Sequence, residues 1–98
     1  MTRRVVRATL ELLPSERGGR SGAIESGYRS LVRFEGSDAD FGFELTLEAP
    51  LAPGASDSGL LSFWAVDDLP ELAVGQRFEL REGARVVGHG EILGLDAG

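Results

Sequence analysis

The segment Phe78-Glu79-Leu80-Arg81-Glu82-Gly83-Ala84-Arg85-Val86-Val87-Gly88-His89-Gly90 has the pattern of a β-hairpin. Phe78 and Leu80 alternate with charged residues, which is the period of two that a half-buried strand requires. Gly83-Ala84 stands where the chain must reverse, so a tight turn is predicted there. Gly88 and Gly90 lie in the returning strand, where glycine is typical of a bulge, a bend or the close approach of another backbone.

Similar alternation occurs along most of the chain, most clearly from Phe41 to Glu48. The segment Leu60 to Val66 is almost continuously apolar, as expected for a strand buried on both sides or lining a barrel. Surface loops are predicted at Pro50–Gly59 and at Asp67–Pro70, and the frequent glycines and prolines argue against long helices. Strands are therefore predicted over residues 6–13, 30–34, 41–48, 60–66, 76–82 and 85–93. Six strands in a chain of this length favour a closed barrel or a two-sheet sandwich.

The composition is that of one folded domain, predicted to span residues 1–98. Apolar residues make up 42% of the chain, and no run of about 18 of them exists that would form a membrane-spanning helix. Cysteine is absent, so neither a disulfide framework nor a thiolate metal site is expected. The first residues lack the apolar block of a secretory signal, and a cytoplasmic location is the expectation.

Charge is unevenly distributed along the chain. All ten basic residues are arginines, and the net charge is −6. Residues 1–34 hold seven arginines and three acids, whereas residues 35–98 hold three arginines and thirteen acids. A net negative chain disfavours general affinity for nucleic acid, although a local basic face is left open.

The glycine-rich segments together indicate a family. Gly18-Gly19-Arg20, then Gly27-Tyr28-Arg29, then the terminal hairpin occur in this order with compatible strands between them. In this arrangement the chain resembles the third, C-terminal domain of translation elongation factor Tu. The Pro53-Gly54 pair is similar to a turn that precedes the fourth strand of that domain. The resemblance implies an all-β fold, a single closed antiparallel six-stranded β-barrel.

The resemblance also implies where a partner would bind. In the family, this domain packs on a second barrel and helps to hold the backbone of the acceptor and T stems of aminoacyl-tRNA. Arg20 and the Gly83-Ala84 turn match the family positions that take part. Other positions differ, because Ser21-Gly22-Ala23-Ile24 replaces the family's histidine, threonine, proline and aromatic residue, and Ser30-Leu31 replaces proline and glutamine. Ala84 replaces a second turn glycine, so groups that contact RNA are lost while the strands are retained.

No catalytic or metal constellation is predicted. His89 is the only histidine and lacks cysteine partners, so a side chain on the outer wall is expected. Ser26, Ser37, Asp38 and Asp40 lack the Gly-x-Ser-x-Gly elbow that would expose a nucleophile beside a histidine. The acidic pairs lack calcium-loop spacing, and no phosphate-binding P-loop occurs. We therefore expect no enzyme, no cofactor, no metal and no bound nucleotide.

The candidate binding residues lie in the two glycine-rich segments and in the strand between them. They are Arg17, Arg20, Arg29, Arg33, Gly83 and Ala84. The four arginines are suited to clamp phosphates or an acidic protein face. The alternative is that they pair with the acids downstream and keep the domain soluble.

Phe63 and Trp64 are the other candidates for an interface. One of the two is expected to face the core, and the other is either an exposed interface anchor or covered by a loop. The sequence thus predicts a non-catalytic binding module, favouring a protein-interaction adaptor or a mimic of the translation factor, with an unidentified protein as partner. The alternative is binding of tRNA or another structured RNA through the arginine-bearing loop. A homodimer is left open, because the surface that meets the second barrel in the family has no such neighbour here.

Overall fold

A computed structural model describes residues 3–64 and 66–95. Within these ranges the chain forms six strands and two short 3-10 turns, and it contains no α-helix. The strands are β1 (Arg4–Leu12), β2 (Arg29–Phe34), β3 (Phe41–Thr46), β4 (Ser56–Phe63), β5 (Arg77–Glu82) and β6 (Arg85–Leu95). The 3-10 turns span Ser15–Arg17 and Val66–Asp68.

The six strands close into a barrel in the order β1-β4-β3-β2-β5-β6, with β6 returning to β1. All neighbouring strands are antiparallel. The prediction of a single closed antiparallel six-stranded barrel is therefore confirmed. The turn at Gly83-Ala84 is also confirmed, since it joins β5 to β6 and Gly83 has a φ of +63°.

Inward side chains of all six strands fill the barrel. All five phenylalanines lie in this core, and Phe34 contacts three of the others. The Phe34 ring lies 5.9 Å from that of Phe63, 6.0 Å from that of Phe41 and 6.1 Å from that of Phe78, measured between ring centroids. Tilted and edge-on contacts at these distances are favourable for aromatic rings. The core thus follows the period of two in the sequence.

Loops close both ends of the barrel. The upper end holds the β1–β2 loop, the β3–β4 loop and the β5–β6 turn, and Ile24 pairs there with Leu51 through two backbone hydrogen bonds of 2.9 Å. Both side chains are buried, which seals that end. The lower end holds the β2–β3 turn and the β4–β5 connection, from which Leu72 is buried.

The predicted limits of β4 are wrong. The strand begins at Ser56, inside the segment that was expected to be a loop, and ends at Phe63 rather than at Val66. The polar run Ser56–Gly59 pairs with β1, from Ser56 opposite Glu11 to Gly59 opposite Ala8. A Cβ on Gly59 would lie 2.9 Å from the Thr46 carbonyl oxygen, so close strand approach explains this glycine. Ala65, which the predicted strand included, lies outside the described residues.

Candidate binding surface

The conformation of the β1–β2 loop depends on two glycines and on a hydrogen bond from the Ser15 side chain. Gly18 has a φ of +87° and ends the first 3-10 turn in the left-handed conformation. Gly19 passes so close to the Leu13 carbonyl that a Cβ would collide with it. The Ser15 hydroxyl donates a hydrogen bond of 2.7 Å to the Arg20 carbonyl. The Gly-Gly pair therefore has a conformational reason that is independent of any ligand.

This loop folds against the β5–β6 hairpin. Arg20 Nη1 lies 2.8 Å from Glu82 Oε2, and the Arg20 guanidinium stacks 5.1 Å from the centroid of the Tyr28 ring. The Tyr28 hydroxyl donates a 2.6 Å hydrogen bond to the same Glu82 oxygen. Arg85 adds a hydrogen bond of 3.2 Å from Nη2 to the Gly19 carbonyl. Arg20 thus lies beside the Gly83-Ala84 turn, and its guanidinium is already paired with the Glu82 carboxylate.

Tyr28 connects this cluster, Arg20–Tyr28–Glu82, to the core. Its ring meets the Phe43 ring edge-on, with centroids 6.1 Å apart and planes at 68°. Burial, followed by the hydrogen bond to Glu82, raises the pKa of the Tyr28 phenol above its usual value of 10.0. The phenol therefore stays protonated and remains a donor to Glu82.

The other candidate arginines do not join Arg20. Arg29 and Arg33 lie four positions apart on the outer face of β2, and each contacts a different carboxylate. Arg29 Nη2 lies 3.6 Å from Glu44 on β3, and Arg33 Nε lies 2.7 Å from Asp40 before β3. Arg17 is exposed on the first 3-10 turn and belongs to none of the ion pairs among the described residues. The arginines are therefore distributed over the barrel and do not form one clamp.

A shallow depression of about 580 Å³ lies on the outer wall between the β2–β3 turn and strands β5 and β6. Its charged side chains neutralise one another, since Arg33 pairs with Asp40 and Arg81 Nη1 lies 2.7 Å from Glu79 Oε1. The pKa of the exposed Arg33 guanidinium is raised, chiefly by its hydrogen bond to Asp40. Ser37 and His89 also line the depression, but neither His89 nor Asp40 hydrogen-bonds to Ser37 in the described structure. The arrangement does not assemble a nucleophile with a base.

Several residues of these clusters were not foreseen. Glu82 lies on the same face of β5 as the inward Phe78 and Leu80. Because it is the last residue of the strand, its carboxylate lies at the upper end of the barrel. Its parity was visible in the sequence, whereas its pairing with Arg20 was not. Trp64 lies on the outer wall while Phe63 is fully buried, as the alternation predicted for the pair. Trp64 is partly exposed, and the side chains of Arg3 and Arg29 lie over its ring.

His89 is exposed on β6, opposite Glu79 on one side and Glu11 on the other, as predicted for an outer-wall side chain. Within residues 3–64 and 66–95, no three histidine or carboxylate side chains are grouped as a metal ion would require. The same ranges contain no helix with the length and apolar character to span a bilayer. No model of a known protein family matches the chain.

Proposed function

We propose that this protein is a non-catalytic binding module that acts through a protein partner, built like the C-terminal barrel of elongation factor Tu. The observation that carries the proposal is the internal pairing of the arginines. Arg20, Arg29 and Arg33 each lie against a carboxylate of the same chain. Binding of several phosphates would have to displace these carboxylates, in a chain whose net charge is −6. A protein interface needs fewer uncompensated charges and tolerates mixed ones.

Within this proposal the barrel is an adaptor or a mimic of the translation factor. The mimic would bind a protein that normally grips elongation factor Tu. Absence of cysteine suits a reducing compartment, so the proposed location is the cytoplasm.

Binding of tRNA or another structured RNA is the second candidate. The feature that favours it is the contact between the Gly18–Gly27 loop and the Gly83-Ala84 turn, because the resemblance implies that both segments approach RNA. Arg17 and Arg85 are exposed there and carry positive charge. The paired state of Arg20 weighs against it.

Two measurements separate the candidates. Fluorescence anisotropy of labelled bulk tRNA should show no saturable binding at physiological salt. Saturable binding that falls steeply with salt and is lost in Arg20→Ala, but retained in Arg77→Ala on the lower part of β5, would establish RNA binding instead.

The protein-partner candidate is tested by affinity capture at physiological salt, followed by reconstitution with the purified partner and calorimetry. Competition by full-length elongation factor Tu for that partner would identify a mimic, whereas binding without competition would identify an independent adaptor. Failure of every captured protein to bind in purified form would contradict the proposal.

A further inference from the structure

The Trp64 indole packs on the outer wall of the barrel against the backbone of β3. Gly42 is its neighbour there, and a Cβ on Gly42 would lie 3.3 Å from indole carbons Cε3 and Cζ3. The missing side chain therefore lets the indole lie close to the strand. Leu31 on β2 is the register partner of Gly42 on its other side, so an aromatic and an aliphatic side chain share this part of the wall. Both are partly exposed.

Two arginines flank the indole. The guanidinium carbons of Arg3 and Arg29 lie 5.0 Å and 5.3 Å from the Trp64 ring centroid, within the range of cation–π attraction. Both arginines use the same carboxylate, since Arg3 lies 3.0 Å and Arg29 lies 3.6 Å from Glu44 Oε1. One negative charge thus faces two positive ones, and the side chains of Arg3 and Arg29 remain 40% and 64% exposed. We call Arg3, Arg29, Glu44 and Trp64 the tryptophan patch.

The closed barrel decides how a partner can bind. Each of the six described strands pairs on both sides, so a partner cannot extend the sheet through a strand edge. Binding must use side chains of the wall or the loops. Tryptophan and arginine are the side chains most enriched among residues that dominate interface energies, because they combine area with directed hydrogen bonds. The tryptophan patch holds both types, fixed in place by mutual stacking.

The charge of the tryptophan patch selects the partner. The chain as a whole is acidic, with net charge −6, so an acidic segment can be attracted only at a local surface of positive charge. The patch has one more positive than negative charge, and each of its exposed guanidiniums can donate hydrogen bonds to a carboxylate oxygen of a partner. Two arginines that share one carboxylate are too few to neutralise a row of phosphates, which argues against RNA at this place.

We infer that the tryptophan patch is the docking surface for an acidic segment of a protein partner, whose carboxylates pair with Arg3 and Arg29 and whose apolar side chain packs on Trp64 and Leu31. This inference rests on the proposed function, because it identifies the surface and the chemistry through which that function operates. The acidic partner completes the ion pairing that Glu44 alone leaves incomplete.

The chain contains a single tryptophan, so its emission reports on this surface alone. We would titrate the protein with an unlabelled peptide of glutamate, glycine and one phenylalanine, and with the matching peptide in which lysine replaces glutamate. The acidic peptide should change Trp64 emission in a saturable manner, and added salt should weaken the binding. The lysine peptide should have no effect.

Variants locate the binding. The double variant Arg3→Gln/Arg29→Gln should weaken binding of the acidic peptide about tenfold, because both ion pairs are lost. Arg77→Gln is the control, since Arg77 is also an exposed arginine and pairs with Glu91 elsewhere on the wall. It should leave the affinity unchanged. Thermal unfolding of each variant would confirm that the barrel is intact.

Other results overturn the inference. Equal binding of both peptides, no binding, or equal loss in Arg77→Gln would remove the tryptophan patch as an acid-binding surface. A change of Trp64 emission with tRNA but not with the acidic peptide would assign the surface to RNA. A concentration-dependent dimer that disappears in Arg3→Gln/Arg29→Gln would assign it to a second copy of the chain. If a purified protein partner binds this double variant with full affinity, the proposed function stands and the surface is wrong.

Discussion

At the scale of single residues, Tyr28 links the candidate loop, the terminal hairpin and the core. Its phenol donates to Glu82 at 2.6 Å while its ring packs on Phe43. The ring is therefore partly buried, and the Glu82 carboxylate stabilises the protonated phenol and repels the phenolate. Both effects oppose ionisation.

The pH dependence follows from this raised pKa. Because the folded pKa lies above the unfolded value of 10.0, Tyr28 stabilises the fold fully at pH values below the unfolded pKa. That contribution is lost as the pH rises through the folded pKa. The chain has one tyrosine, so ultraviolet titration should give a single midpoint above pH 10. Glu82→Gln should lower this midpoint but leave it above the usual tyrosine pKa of 10.0, because burial is the first cause of the shift. A wild-type midpoint at or below 10.0 would contradict the buried contact between Tyr28 and Glu82.

Gly90 shows a residue whose role is steric. A Cβ at this position would collide with the Phe78 ring and with the Thr9 carbonyl oxygen. Gly90→Ala should therefore destabilise the protein by roughly 3 kcal/mol, as overpacking of a tight core does. Gly94→Ala is the control on the same strand, where the nearest atom to a Cβ is the end of the Arg7 side chain at 3.7 Å. Urea unfolding should show little change for Gly94→Ala, and equal stability of both variants would refute the close packing at Gly90.

At the scale of elements, the Arg20–Glu82 ion pair is one of three side-chain contacts described above between the β1–β2 loop and the hairpin, beside Tyr28–Glu82 and Arg85–Gly19. The two side chains are 26% and 35% exposed, so solvent screens the pair only in part. A double-mutant cycle with Arg20→Ala and Glu82→Ala should give a coupling energy of about 1 kcal/mol. Arg17→Ala on the same loop should change the free energy of unfolding by less than about 0.5 kcal/mol. Additive effects of the two alanine substitutions would show that the Arg20–Glu82 ion pair contributes nothing to the free energy of unfolding.

The strands themselves were largely predictable from alternation, but apart from the β5–β6 hairpin their pairing partners were not. The inward positions of β3 and β5 follow directly from Phe41, Phe43, Phe78 and Leu80. The start of β4 was missed because Ser56–Gly59 has low β-propensity and is held by pairing with β1, which no local pattern records. Arg20 and Glu82 are 62 residues apart in the sequence. Their contact could be predicted only with the strand order of the closed barrel. The arginine loop was recognised, whereas its neutralising partner was not.

At the scale of the whole molecule, folding brings part of the basic first third of the sequence against the acidic remainder. Four arginines of the basic first third, Arg3, Arg20, Arg29 and Arg33, each contact an acid from the rest of the chain. The barrel order allows this, because β4, β3 and β2 lie next to one another after β1 and bring distant residues onto one wall. The interpretation that the candidate arginines pair with downstream acids holds for Arg20, Arg29 and Arg33. Arg17 belongs to none of the ion pairs among the described residues.

Closure through β1 sets how the whole barrel responds to damage. β1 pairs with β4 on one side and β6 on the other, and Thr9 lies opposite Ser58 and Glu91 in these two ladders. Proline at this position removes the backbone N–H and is poorly tolerated between two paired strands. Opening the barrel there would also expose strand edges, which associate with other chains.

Thr9→Pro should therefore destabilise the protein by roughly 3 kcal/mol or more and promote aggregation. The side chain is exposed, so the effect comes from the backbone and not from a lost core contact. Thr9→Val retains the N–H and the β-branched shape and should leave the stability within about 0.5 kcal/mol of the wild type. Urea unfolding measures the first effect and light scattering at the same protein concentration measures the second. A strand that is paired on both sides cannot lose the backbone N–H of Thr9 without losing stability. If Thr9→Pro were as stable and as monomeric as Thr9→Val, β1 would not close the barrel.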